Sequence, residues 1–305
     1  MPDYDVAIIG AGPAGLAAAI YLGRSRRSVV LIGEKIFDSQ VANLESIENY
    51  PCFGEPISGA SLIAEMINQV MQYEVPLEQT TVSGIEPVTG GYRVITGGEA
   101  AINAKMLIIA SGTLHRKLGI PGEELLQGKG IFQCALCDGG KFAGQEVAVC
   151  GGGDAGVTEA LYMSKLASKV FLIEALPALT ASTILKERLA SNEKIEVHCG
   201  AKVTSIVGRD RVEGIEILDA SGKIGIINVS GVLIQIGLLP NTGFLNGMLP
   251  LDNTGHIMVN PKMETKVTHI LAAGDVRSGS PGQIVTATGD GATAAITAGR
   301  LLQLG

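Results

Sequence analysis

At 305 residues the chain has the length of about two domains, and 23 Lys+Arg against 30 Asp+Glu leave a net charge of −7. That acidic balance offers no nucleic-acid footprint, which needs a basic face. Forty-one glycines, well above the usual ~7% share, point to tight turns and close backbone approaches of the kind nucleotide-binding loops require.

Two uncharged runs have the length of membrane spans. Val6 to Gly23 is divided by Gly10, Gly12, Pro13 and Gly15 into strand, turn and helix, and Val229 to Leu251 is broken by Pro240, Asn241 and Pro250. The start, Met1-Pro2-Asp3-Tyr4-Asp5, is acidic where a signal peptide is basic. Five cysteines, an odd number, suit a reducing compartment better than a disulfide scaffold. The expectation is a soluble, cytoplasmic protein with no membrane partner.

Asp5–Ile9 reads as a strand and Gly10-Ala-Gly12-Pro13-Ala14-Gly15 as the turn into a helix over Leu16–Leu22. Glycines there permit the turn and let backbone approach a pyrophosphate at the positive end of the helix. A second strand, Ser28–Ile32, ends at Gly33-Glu34, and Glu34 lies 24 residues beyond Gly10, near the ~20 expected of an acid on a ribose hydroxyl. Tyr92–Thr96 and Lys105–Ile109 read as strands, and Ala110-Ser111-Gly112 as a tight exit from a buried one.

Cys134-Ala-Leu-Cys137 is a CxxC, followed directly by Asp138. Two thiols at this spacing open and close a small ring with little backbone movement, and one can attack a partner's disulfide while the other resolves the mixed disulfide. The adjacent carboxyl group is placed to exchange a proton with the leaving thiol. Half of a zinc site and a structural disulfide are the other readings. Zinc needs a second ligand pair, which Cys52, Cys150 and Cys199 do not form, and so short a loop gains little from cross-linking.

The glycine device then recurs 141 residues on. Strand Glu146–Cys150, loop Gly151-Gly-Gly153-Asp154-Ala155-Gly156, helix Val157–Leu166 and strand Lys169–Ile173, ending at Glu174, form a second dinucleotide-type unit. Beyond it, Lys194–His198, Val203–Val207, Val212–Leu218 and Ile224–Val229 read as a strand meander, Gly231–Ile236 and His269–Ala273 as apolar strands, and Gln283–Leu302 as a closing helix. His115, His198, His256 and His269 share no spacing, so they read as satisfied structural residues and no metal is expected.

Taken in order, GAGPAG at Gly10, Glu48-Asn49-Tyr50-Pro51, Ala110-Ser111-Gly112, Cys134-Ala-Leu-Cys137-Asp138, GGGDAG at Gly151, Pro240-Asn241-Thr242 and Ala273-Gly274-Asp275 resemble the low-molecular-weight thioredoxin reductases over almost the whole chain. The resemblance implies an α/β fold of two Rossmann-like, three-layer ββα dinucleotide-binding domains, the second inserted into the first. It implies an FAD-binding domain of residues 1–113 and 242–305, a pyridine-nucleotide-type domain of 114–241 carrying the CxxC, and a homodimer with a large rotation between domains. Cys137 would face the flavin, Cys134 would attack a thioredoxin or thioredoxin-like protein, and Asp138 would be the acid. Gly274 and Asp275 would hold the ribityl and pyrophosphate region, and Gln283 and Ile284 would approach the isoalloxazine, with Gly282 where the family often has a basic residue. Gln40 and Asn49 fall where the family contacts flavin, although Asp38-Ser39 replaces the glycines that usually precede that glutamine.

The chain departs from the family in the segment that grips the 2′-phosphate of NADPH. The family usually has His-Arg-Arg and a further Arg; here the segment reads Glu174-Ala-Leu-Pro-Ala-Leu-Thr180. A carboxylate repels a dianionic phosphate, so NADPH is disfavoured. Glu174 suits the free ribose hydroxyls of NADH, and the alternative is that the second domain binds no nicotinamide and electrons come from ferredoxin or another reduced carrier. Rival functions on the same fold are a dithiol oxidase, whose members tend to carry His where this chain has Asp138, and a ferredoxin–NAD(P) reductase, whose related members lack the CxxC. A redox sensor without turnover is a rival of another class.

Overall fold

A computed structural model describes residues 3–34, 39–44, 46–97 and 101–304. Asp38 and the Met1-Pro2 start lie outside the described residues. The chain folds as two compact units, Met1–Leu114 with Leu239–Gly305, and His115–Leu238. The second is thus inserted into the first, and each is an α/β sandwich built on a parallel sheet.

In the first unit, strands Leu77–Glu78, Val29–Ile32, Tyr4–Ile9 and Ala101–Ile109 lie side by side and parallel. The last is long enough to serve two neighbours more. Its start pairs antiparallel with Gly91–Thr96, which forms a hairpin with Val82–Val88, and its end pairs parallel with Ile270–Ala272. Alternate side chains sort onto the two faces, as strand geometry requires. Val6, Ile8, Leu31 and Ile108 meet helices Pro13–Arg24, Gly59–Met71 and Ile284–Leu304. Ala7, Ile9, Val30 and Ile109 meet the hairpin and the 245–276 segment.

The second unit repeats the plan. Its sheet runs Ile195–Cys199, Lys169–Glu174, Glu146–Cys150, Gly231–Ile234, Ile131–Phe132. Val147, Val149 and Leu172 pack on helices Asp154–Leu166 and Thr183–Ala190, while Ala148, Phe171 and Ile173 pack on an antiparallel meander of Lys202–Val207, Gly214–Leu218 and Ile224–Asn228.

Two expectations need correction. Ile195–Cys199 does not belong to the meander; it pairs parallel with Lys169–Glu174 as the outer strand of the sheet. Its own pattern is half exposed, so polarity alone could not tell a sheet edge from a meander strand. Both nucleotide-loop helices start earlier than expected, at Pro13 and Asp154. Proline is preorganised for the first helical position, so the glycine turn runs straight into the helix. Gly59–Met71 is a further helix with no counterpart among the elements expected from the sequence. Ser58 caps it, its Oγ accepting from Ser61 N–H at 3.2 Å, and Leu62, Ile63, Met66, Ile67 and Val70 are buried at helical spacing. Among the described residues no helix is long and apolar enough to cross a membrane.

Candidate functional site

The first glycine loop is shaped by backbone contact. Gly10 has φ 115°, and a Cβ there would lie 2.1 Å from the Ala110 carbonyl oxygen. At Gly15 a Cβ would lie 1.8 Å from the Gly10 oxygen. These contacts require glycine and press the loop onto the sheet end, where Ala110 N–H donates to the Ile9 carbonyl at 2.7 Å. Gly12 differs, since a Cβ there would meet nothing within 4 Å. It caps the helix without any side-chain hydrogen bond, Pro13 follows, and the first turn holds no acid. The N–H groups of the first turn have no intrahelical acceptor, and among the described residues no acid or cap side chain meets them, which suits an anion.

The other expected residues of the first unit are held by the following contacts. Gly33 N–H donates to the Glu78 carbonyl at 3.0 Å, and Glu34 beyond it is exposed at the strand end. Ser111 Oγ donates to the Asn241 carbonyl at 2.8 Å, and Asn241 N–H donates to the Gly112 carbonyl at 2.9 Å. Gln40 Nε2 reaches the Thr113 carbonyl at 2.5 Å, and Asn49 Nδ2 donates to Gln283 Oε1 at 3.0 Å. Ile284, half-buried, opens the last helix.

Gly274, at φ 77°, has room for a Cβ only 2.8 Å from that of Ala14, so the Gly274-Asp275 turn lies against the start of the first helix. Burial raises the pKa of Asp275, against a 2.9 Å hydrogen bond from Ser280 Oγ that lowers it. What holds this turn is a residue not among the expected site residues. Asp290, buried, accepts from Gly274 N–H at 3.2 Å and takes Arg277 as a fork, Nε to Oδ2 at 2.8 Å and Nη2 to Oδ1 at 3.1 Å. The available signal was a lone acid inside an otherwise uncharged helix run from Ile284 to Gly299.

In the second unit Cys134 and Cys137 are joined as a disulfide, their Cα atoms 5.4 Å apart. Cys134 caps the one-turn helix Ala135–Asp138, its Sγ accepting from Cys137 N–H at 3.0 Å. Cys134 is half-buried and Cys137 exposed. Lys141 Nζ holds Asp138 Oδ1 at 2.6 Å; at this exposure the pair contributes under about 1 kcal/mol and chiefly orients the carboxylate. Cys52, Cys150 and Cys199 are free thiols. Cys150 is inert, since burial, with Glu123 adding to it, pushes its pKa up to about 12. Among the described residues no cluster of three His, Cys, Asp or Glu groups could hold a metal. His198 lies 2.9 Å from Glu196 and His256 2.8 Å from Thr254. His115 departs from the satisfied reading: among the described residues its buried Nδ1 has no hydrogen-bond partner, as His198 Nε2 also has none beyond its ion-pair approach to Glu196, and burial lowers the His115 pKa.

The second glycine loop has the same frame. Gly151 has φ 116° and its Cβ would lie 2.0 Å from the Gln235 oxygen; a Cβ on Gly156 would lie 1.9 Å from the Gly151 oxygen. Its filling differs. Glu174 is buried, its Oε2 accepting from Gly152 N–H at 2.5 Å and its Oε1 from Leu176 N–H at 2.7 Å. The Gly152 carbonyl accepts from Thr180 and Ala181 N–H at 3.0 and 3.1 Å, and Asp154 Oδ1 from Ser182 N–H at 2.6 Å. Leu179 crowds Gly152, where a Cβ would lie 2.6 Å from its Cδ2. Gly153, half-buried, caps the helix with no side-chain bond, and Ala155 is exposed in its first turn.

The sequence pattern of the pyridine nucleotide-disulphide oxidoreductases matches residues 4–291. The thioredoxin reductase of Bacillus subtilis (strain 168) is 40% identical over 296 residues, 96% of this chain and 92% of that protein. The thioredoxin reductase of Lactococcus lactis superposes with a TM-score of 0.95 at 35% identity, covering 99% of this chain and 100% of that one. A ferredoxin-flavin thioredoxin reductase of Clostridium acetobutylicum superposes with a TM-score of 0.55 at 29% identity, covering 99% of each chain. With its two glycine-loop domains and its disulfide-bonded CxxC, the chain belongs to the pyridine nucleotide-disulphide oxidoreductases, among the low-molecular-weight thioredoxin reductases.

Proposed function

We propose that the protein is a cytoplasmic, homodimeric FAD-dependent thioredoxin-disulfide reductase in which Cys134 and Cys137 pass two electrons to a thioredoxin or thioredoxin-like protein. The observation that carries this is the Cys134–Cys137 disulfide itself, at the start of a one-turn helix, with Cys137 exposed and Cys134 half-buried. The Gly10–Gly15 cradle would hold FAD, which, once reduced by the donor, would supply the two electrons that open the disulfide. The unblocked helix start and the lack of a first-turn acid fit its pyrophosphate. Glu34 suits the adenosine ribose, and Asp275 the ribityl region.

Once the pair is a dithiol, the Cys134 thiolate attacks one sulfur of the partner's disulfide. The S–S bond breaks, a mixed disulfide forms, and the departing partner thiolate takes a proton, with Asp138 the nearest acid in sequence. The Cys137 thiolate then attacks Cys134 Sγ. The intramolecular disulfide re-forms and the partner leaves as a dithiol.

The donor is a reduced carrier protein such as ferredoxin, or NADH, and not NADPH. Against NADPH stands the Glu174–Thr180 segment, which has no cation. For the carrier over NADH stands Glu174, whose carboxylate is buried and engaged by two backbone N–H groups. The likeness to a protein described as a ferredoxin-flavin thioredoxin reductase supports the same side.

Anaerobic titration with NADH, NADPH and reduced ferredoxin, followed at the flavin band, tests this. Bleaching by ferredoxin, weaker or absent bleaching by NADH and none by NADPH is expected. Efficient turnover with NADPH at low concentration would refute the donor assignment. Undiminished thioredoxin reduction by Cys134→Ser or Cys137→Ser would refute the relay.

A further inference from the structure

The redox turn is fastened at both ends. Before it, Gln235 Nε2 donates to the Gln133 carbonyl at 2.8 Å. After it, a Cβ on Gly139 would lie 2.7 Å from Met163 Sδ, so the turn runs flush against the helix Asp154–Leu166. From that same helix Glu159, half-buried, reaches into the turn, its Oε2 accepting from Ala135 N–H at 2.7 Å.

Ala135 is fully buried and directly follows Cys134. Its N–H belongs to the first turn of a helix that Cys134 caps, and the Cys137 N–H already points at Cys134 Sγ. Thiolates at helix starts are stabilised by such donors and by positive surroundings. Here a carboxylate takes one donor, the N–H of the residue that follows Cys134, and brings a negative charge to the turn that otherwise carries the Asp138–Lys141 pair. Both effects disfavour the thiolate.

On the reductase reading above, we propose that Glu159 is a positioning residue that anchors the Cys134–Cys137 turn and keeps the Cys134 thiol less acidic. A less stable thiolate makes the dithiol less stable relative to the disulfide. The pair is then a stronger reductant, the reverse of oxidases whose reduced form is stabilised.

The test uses the FAD-loaded protein with Cys137→Ser, so that Cys134 titrates alone, reduced by a phosphine. Iodoacetamide labelling of the Cys134 peptide is followed across pH with Glu159 intact and with Glu159→Gln, which keeps an acceptor for Ala135 N–H but removes the charge. The labelling midpoint should fall by about one pH unit in Glu159→Gln. With both cysteines present, Glu159→Gln should shift the equilibrium with glutathione toward the dithiol by up to about tenfold above both thiol pKa values. An unchanged or raised midpoint in a variant with full flavin content and parental melting overturns the proposal. Labelling needs neither donor nor thioredoxin, so its failure is separable from failure of the reductase reading.

Discussion

Gly10 and Gly151 have φ values of 115° and 116°, and each would drive a Cβ into the carbonyl oxygen of the residue just past a neighbouring strand, Ala110 and Gln235, 2.1 and 2.0 Å away. Gly15 and Gly156 repeat the match at 1.8 and 1.9 Å. The two loops thus share one backbone solution, and they differ in what meets it. The first helix has no first-turn acid and its strand-end Glu34 is exposed; the second has Asp154 in the first turn and a buried Glu174 bonded to Gly152. Identical glycine spacing therefore specifies a strand–turn–helix joint, and the residues that fold over the joint decide what it can hold.

Substituting alanine at the joints should give the largest effects and separate the two loops. Positive φ alone costs about 1–3 kcal/mol for a non-glycine residue, and the carbonyl overlap adds to it. Gly10→Ala is expected to purify without flavin and to melt at lower temperature. Gly151→Ala should lose comparable stability but retain FAD, as flavin absorbance per chain will report. Equal flavin loss in both would break the distinction.

Removing the strand-end acids should sharpen it. Glu174→Gln leaves one of two buried N–H groups facing an amide nitrogen, a cost of about 1–3 kcal/mol, with unchanged flavin content; thermal unfolding measures it. Glu34→Gln should scarcely alter stability and should weaken FAD binding about tenfold, for the loss of one charge-assisted hydrogen bond. Restoring cations by Glu174→His, Ala175→Arg and Leu176→Arg should not create efficient NADPH reduction of the flavin, because Leu179 and the Thr180–Ala181 N–H groups still cover Gly152.

The smallest effect is expected at Asp275. Burial raises its folded pKa above the ordinary 3.8, so the folded state holds the proton more tightly than the unfolded one. Its unfavourable contribution is absent at pH below the unfolded value and grows as pH rises through the folded pKa. Asp275→Asn should therefore melt slightly higher than the parent at neutral pH without flavin, while binding FAD more weakly. Calorimetry of the two apoproteins at acid and neutral pH measures the difference, which should vanish at acid pH.

Much of the architecture was legible because its signals are local. Strands such as Val6–Ile9 and Val147–Cys150 are continuous apolar runs that end at glycine, and the CxxC reads as redox-active once its spacing is joined to the lack of a second ligand pair. The assignment of Ile195–Cys199 failed because its half-exposed pattern serves a sheet edge and a meander equally well, and only its pairing with Lys169–Glu174 decides between them. Asp290 was invisible for a similar reason, since its partners Gly274 and Arg277 lie 16 and 13 residues away and across a turn.

The sequence by itself determined that two glycine joints exist, that a redox-capable cysteine pair lies between them, and that no cation follows the second strand. Those properties depend on residue type and on spacing within a few turns of chain. Only the tertiary structure decided that Glu174 is engaged by Gly152 and Leu176, that Asp290 fixes the Gly274 turn, and that Glu159 reaches the Ala135 N–H. Each of these joins a carboxylate to a backbone donor on another element or around a turn. A backbone N–H carries no sequence signature, so its partner is found only once the chain has folded.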